Sequence, residues 1–156
     1  MKLDQIDRKI IALLQAQGRL TNAKLSAEVG LSPASALERV KKLEKVGIIA
    51  GYNARIDYLS VGIGIVVQVE ITLARHRQDA VKAFIKAVQD VEQILECQHV
   101  SGKADFLLRV AARDIEHYEH FILEILSALP GIQHIESMVV LSTVKQIEAV
   151  PVFNQV

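Results

Sequence analysis

The chain has 156 residues, 51% of them hydrophobic and 23% charged, with a net charge of zero. That suits one medium domain or two small ones and excludes wholesale disorder. No apolar run is long enough to span a bilayer, the opening MKLDQIDRKII lacks a signal-peptide pattern, and a single cysteine excludes an intrachain disulfide, so a cytoplasmic location without membrane association is expected.

The neutral total hides an asymmetry. Residues 1–55 carry ten Lys/Arg against five Asp/Glu, and the remaining residues carry eight against thirteen. Such a split suggests that one part of the chain meets a polyanion and the other does not.

In chain order, LDQIDRKIIALLQAQG places Ile6, Ile10, Leu13 and Leu14 on one helical stripe, with Gly18 as a stop. TNAKLSAEVG is a short helix with Thr21 as N-cap and Gly30 closing it; Lys24 stands where a capping box prefers Glu or Gln. LSPASALERVKKLEKVG is a third helix started by Ser32-Pro33, with Ala36, Leu37, Val40 and Leu43 inward. IIAGYNARID is expected to form a short hairpin turning at Gly51, and residues 56–62 to form a linker.

Beyond residue 62 the period changes to two. Ile65, Val67, Val69, Ile71 and Leu73 alternate with polar residues as a strand. RQDAVKAFIKAVQDV reads as a helix burying Val81, Phe84, Ile85 and Val88. ILECQHV and FLLRVAA are strands around Gly102, with Cys97 expected as a small buried thiol. DIEHYEHFILEILSALPG is a helix capped by Asp114 with Ile115, Tyr118, Ile122, Ile125 and Leu129 inward, and IQHIESMVVLSTVKQI is a last strand. The order predicts an α+β chain: an N-terminal winged helix-turn-helix (1–55), a linker (56–62), a ferredoxin-like βαββαβ domain (63–147) and a loose tail (148–156). The helices cover one sheet face, and Val66, Leu107 and Val140 on the other predict burial by a second copy.

The third helix carries the chemistry. Its first turn is slim, with Ala34, Ser35 and Ala36, and Arg39, Lys41, Lys42 and Lys45 crowd its outer arcs. Alone, this pattern also fits a solvated surface helix with a Glu38–Lys42 pair. After two short helices and a turn, however, it matches a recognition helix whose N-terminal turn enters the major groove of double-stranded DNA. Ser32, Ala34 and Ser35 then allow close approach, Arg39 and Lys42 reach phosphates or base edges, Lys41 and Lys45 neutralise the backbone, and Asn53 and Arg55 belong to the wing.

The motifs LDQIDRKII, GLSPASALERVKKLEKVGII, VEITL and VSGKADFLL together resemble the Lrp/AsnC (leucine-responsive, feast/famine) family of prokaryotic transcription regulators, from about Leu3 to Lys145. The resemblance implies a homodimer, often assembled into octamers, with an N-terminal DNA-binding domain and a C-terminal domain that dimerises and senses small molecules, typically amino acids. It places the effector at HVSGKADFLL, between neighbouring dimers: Ser101, Gly102 and Asp105 match the family pattern, while Lys103 and Ala104 depart from a frequently acidic and an often aromatic residue. Chemically, turn amides suit a carboxylate and Asp105 an ammonium group, although Asp105 capping the turn is the simpler reading of the residues alone.

His117 and His120, three apart on one helix, lack a third close ligand, so neither a metal nor a catalytic residue is expected, and no cofactor beyond an amino-acid effector. Two alternatives remain: an enzyme like the sirohaem decarboxylases, which resemble this two-domain architecture, and a dimer module whose DNA binding is vestigial. The basic N-terminal part and the Ser32–Lys45 pattern favour the DNA-binding regulator over the enzyme, and absence of a retarded complex in a gel shift would mark the vestigial module.

Overall fold

Three helices open the chain: α1 (Gln5–Ala16), α2 (Asn22–Val29) and α3 (Pro33–Lys45). The computed structural model describes residues 2–74, 78–147 and 149–153. The chain divides into two units, residues 1–55 with 144–156, and residues 56–143.

Each helix of the first unit begins on a side-chain cap. Asp4 precedes α1, where its Oδ1 accepts the Asp7 amide at 2.8 Å and Asp7 Oδ2 accepts the Asp4 amide at 3.2 Å, a reciprocal capping box. Thr21 caps α2, and Gly30 ends it in the left-handed region at φ 72°. Ser32 caps α3, with Pro33 in the first turn, where its missing N–H has no partner to lose. Ile10, Ile11, Leu25, Val40 and Leu43 form the core, flanked by Ile6, Leu13 and Leu14. Leu37, expected inward, is 41% exposed.

Two expectations for this unit are corrected. Residues 48–55 form no hairpin, so the helix-turn-helix lacks a β wing among the described residues. The amides of Ile48 and Ile49 turn back to the Leu43 carbonyl and finish α3, and the Tyr52 hydroxyl donates to Glu44 at 3.0 Å, so this stretch is spent on capping rather than pairing. The C-terminal tail is not loose either. Gln15 donates to the Val150 carbonyl at 3.2 Å and accepts its amide at 2.7 Å, and Val152 packs on the three-helix core. Glu148 and residues 154–156 of that tail lie outside the described residues.

The second unit contains β1 (Ile65–Leu73), α4 (Gln78–Val88), β2 (Ile94–His99), β3 (Phe106–Ala112), α5 (Ile115–His120) and β4 (Ile132–Val139). Arg77, expected to begin α4, lies outside the described residues. The strands form one antiparallel sheet in the order β2-β3-β1-β4, the ferredoxin-like arrangement. Val67, Val69, Ile71 and Leu73 of β1 meet Phe106, Leu108 and Val110 of β3, with Phe84, Val88, Tyr118, Phe121 and Leu126 from the helical side. Val66 and Leu107 are half-buried and Val140 is exposed.

Four details depart from the simple pattern. Ile85 of α4 is 39% exposed, because Phe84 and Val88 already fill the stripe. Cys97 is exposed, since β2 is an edge strand that is open along most of its length. The linker is ordered: Leu59–Val61 make a 3-10 turn whose Ser60 amide bonds Asp57 at 3.0 Å. The last helix changes pitch, running from α5 into a π turn at Phe121–Ile125 and a 3-10 turn at Leu126–Ala128. Residues five apart share a side in a π turn, so Phe121 and Leu126 are both buried, whereas Ile115 is 58% exposed. The Ser127 hydroxyl donates to the Ile122 carbonyl at 2.7 Å and satisfies part of the altered ladder.

One backbone approach is tight enough to test. A Cβ on Gly64 would lie 2.2 Å from the Arg113 carbonyl oxygen, whereas at Gly51 it meets open space. Gly64→Ala is expected to cost about 1–3 kcal/mol, read as a lower urea midpoint. Gly51→Ala is expected to leave that midpoint nearly unchanged.

Candidate functional site

The first turn of α3 is built from small groups held in place from behind. The Ser32 hydroxyl accepts the Ser35 amide at 3.2 Å and donates to the Ser35 hydroxyl at 2.9 Å. Asn22, at the start of α2, donates to the Pro33 carbonyl at 2.8 Å and so links the two helices at the entrance to α3. Residues 32–35 are all exposed. No side chain longer than serine or proline stands in that turn.

The cations of α3 separate into two kinds. Lys41, Lys42 and Lys45 are exposed and form no ion pair with any described residue; the Glu38–Lys42 pair is not made. Arg39 is different. Its Nη1 donates to Asp4 Oδ2 at 2.6 Å and to Asp7 Oδ1 at 2.7 Å, so the capping box of α1 doubles as a receptor for α3. Helical counting set Arg39 on an outer arc beside Ser35 and Lys42, but that arc includes the direction of the α1 N-terminus, and two carboxylates there claim the guanidinium. The Asp7 amide first, and then Arg39, hold the Asp4 carboxyl below its ordinary range. Lys9 adds a second tie by donating to the Glu28 carbonyl of α2.

Asn53 and Arg55 lie on the extended stretch after α3 rather than on a hairpin. Asn53 is exposed, and the Arg55 guanidinium donates to Gln146 Oε1 of the tail.

The loop between β2 and β3 gathers the other five residues. Ser101, Gly102 and Lys103 are exposed, Ala104 is buried and Asp105 is half-buried. Gly102 has φ 146°, a conformation that side-chain-bearing residues rarely adopt. Asp105 is fixed twice to β1: its amide donates to the Ile71 carbonyl at 2.9 Å, and its Oδ2 accepts the Leu73 amide at 2.7 Å. Oδ1 has no partner among the described residues. Thus Asp105 ties the loop to a neighbouring strand rather than capping the turn's own amides. Lys103 reaches Glu136 of β4 at 3.7 Å, with both side chains largely exposed.

Residues that the sequence reading missed are Asp4, Asp7, Asn22 and Gln15. The first two are legible as an Asp-x-x-Asp pair before an apolar stripe; Asn22 reaches across the turn to the next helix and Gln15 to the far end of the chain, and nothing local marks either.

Comparison with known proteins agrees with this geometry. The profile of the AsnC-type helix-turn-helix domain matches residues 3–44, and that of the Lrp/AsnC ligand binding domain matches residues 66–150. The leucine-responsive regulatory proteins of Klebsiella pneumoniae and of Escherichia coli K12 are each 44% identical over 144 residues, covering 92% of this chain and 88% of the relative. A transcriptional regulator of Neisseria meningitidis, solved as its L-Met complex, superposes with a TM-score of 0.91 at 35% identity over 96% of both chains. An AsnC family regulator of Agrobacterium tumefaciens gives 0.89 at 31% identity over 96% of this chain and 97% of that one. Among the described residues no helix is long and apolar enough to cross a membrane.

Arg39→Ala removes both carboxylate contacts and is expected to lower the urea midpoint modestly, given the exposure of the cluster. The lowered Asp4 carboxyl stabilises the fold fully above the ordinary aspartate value, near pH 4, and that contribution fades as pH falls through the lowered value. The variant's stability is therefore expected to fall less steeply than the wild type's below about pH 4.

Proposed function

This chain belongs to the Lrp/AsnC family of transcription regulators, and from that premise we propose that it binds double-stranded DNA through the first turn of α3 and is modulated by an amino acid at the β2–β3 loop. One observation carries the DNA half: a small, capped and exposed helix start, flanked by lysines that no described carboxylate engages. Ser32, Ala34 and Ser35 are the close-approach positions, and the helix start presents amides to phosphate. Lys41, Lys42 and Lys45 supply salt-dependent phosphate contacts. Arg39 serves the interface from behind by setting the angle of α3, and Asn53 and Arg55 are flanking positions rather than wing tips.

Two copies, paired through the sheet face that carries Val66, Leu107 and Val140, would bring two such helices to a pseudo-palindromic site, and octamers would array more of them. The effector half rests on the Lrp/AsnC ligand-binding match and on the L-Met held by the Neisseria relative. Asp105, with Oδ2 committed to Leu73 and Oδ1 open, is the proposed ammonium partner; Ser101, Gly102 and Lys103 offer amides to the carboxylate, and Ala104 leaves room for the side chain. A regulator of this kind works in the cytoplasm, where its DNA is. No observation favours the sirohaem-enzyme reading, and we assign the chain no catalytic residue, metal or cofactor.

Lys42→Ala is expected to weaken binding to the gene's own upstream DNA about equally across sequences. It should also reduce the magnitude of the slope of log affinity against log salt by about 0.9 per protomer. An unchanged slope would move the phosphate contacts elsewhere.

A melting screen against the twenty amino acids should show at least one that raises the transition, since a ligand at a hundred times its Kd adds about 2.7 kcal/mol. Asp105→Asn keeps an acceptor for the Leu73 amide but removes the charge, and should abolish that rise. A rise that survives in the variant would place the ammonium partner at another residue.

A further inference from the structure

The chain passes between its two units twice. It leaves the first unit after Arg55 and returns to it at Val144. The returning segment is held at three places, all within the first unit: Arg55 donates to Gln146, Gln15 pairs with both the amide and the carbonyl of Val150, and Val152 sits against the core of α1–α3. The Gln15 contact has the form of strand recognition. One side-chain amide presents a donor and an acceptor together, matching the donor and acceptor of a single extended residue regardless of its side chain. Accordingly, the Val150 side chain is still 60% exposed. The apolar contact two residues later fixes the register.

We propose that the Gln15 face of α1 is a docking site for an extended peptide segment, that its occupant is this chain's own C-terminal segment, and that this contact is a second tether on the DNA-binding unit. A head joined by one connection samples a larger volume than a head joined by two. A second connection, made when Gln15 holds Val150, shrinks that volume. In a homodimer bound to DNA by one head, the smaller volume raises the effective concentration of the second head at its half-site. The tether therefore acts on two-headed binding and leaves the contact of a single head with DNA untouched. The DNA arm of this inference rests on the regulator reading above, whereas the docking arm does not.

Gln15→Ala tests both arms, because alanine is a strong helix former and α1 keeps its fold. Amide exchange at Val150 in the full chain is expected to be at least about tenfold faster in the variant than in the wild type, since its Gln15 acceptor is gone. Affinity for a footprinted duplex from the gene's own upstream region, with both half-sites present, is expected to fall about tenfold or more, while affinity for the same duplex with one half-site scrambled stays unchanged. Free-peptide exchange at Val150 in the wild type would overturn the docking site. Accelerated exchange with unchanged two-site affinity, or with equal losses on both duplexes, would overturn the tether. Absence of any wild-type footprint on the upstream region, with Val150 still protected, would refute the regulator reading and the tether's action on DNA while leaving the docking site standing.

Discussion

One guanidinium organises the DNA-binding unit. Arg39 Nη1 sits between the two carboxylates that also cap α1, so a single cation joins the start of the first helix to the middle of the third. The arrangement works because each carboxylate uses one oxygen for an amide of the capping box and the other for Arg39. α3 is thereby held along its length by apolar packing at Ala36, Val40 and Leu43, at its entrance by Asn22, and across the gap to α1 by charge. What remains free is the short first turn and three lysines. A capped start of small groups beside exposed cations suits approach to a grooved polyanion.

The sensing half follows a similar economy. Asp105 is first a structural residue, anchoring its loop to β1 through amide and carboxylate, and only its remaining oxygen is left for the ammonium contact proposed above. A ligand bound there would touch a group already continuous with the sheet centre, since β1 lies between β3 and β4. The same loop reaches the edge strand through Lys103 and Glu136, and that strand leads into the returning C-terminal segment.

Much of this was legible in the sequence where a single period governs. The alternation at Ile65–Leu73, the caps at Thr21, Ser32 and Asp114, and the order of elements follow from local rules. Two departures, at Arg39 and at the tail, come from partners distant in sequence, and the third, at residues 48–55, from competing bonds close by. Arg39 was assigned outward because nothing local announces Asp4 and Asp7, over thirty residues away. The expected hairpin at residues 48–55 was lost to helix-capping amides and the Tyr52–Glu44 bond, and the tail was thought loose because Gln15 stands 135 residues from Val150. Of the candidate site, the exposure of the slim first turn and of the lysines is legible; the tie from Arg39 to the start of α1 is not.

The π turn at Phe121–Ile125 has a genetic reading. It holds about one residue more than an α turn, and it brings Phe121 and Leu126 to the same side across five positions. Losing one codon between them would leave the two side chains four apart, the spacing at which an ordinary α-helix also aligns them. Gene copies shorter by a single triplet at this point would therefore still encode the same buried pair, so the core's register at Phe121 and Leu126 withstands the loss of one residue.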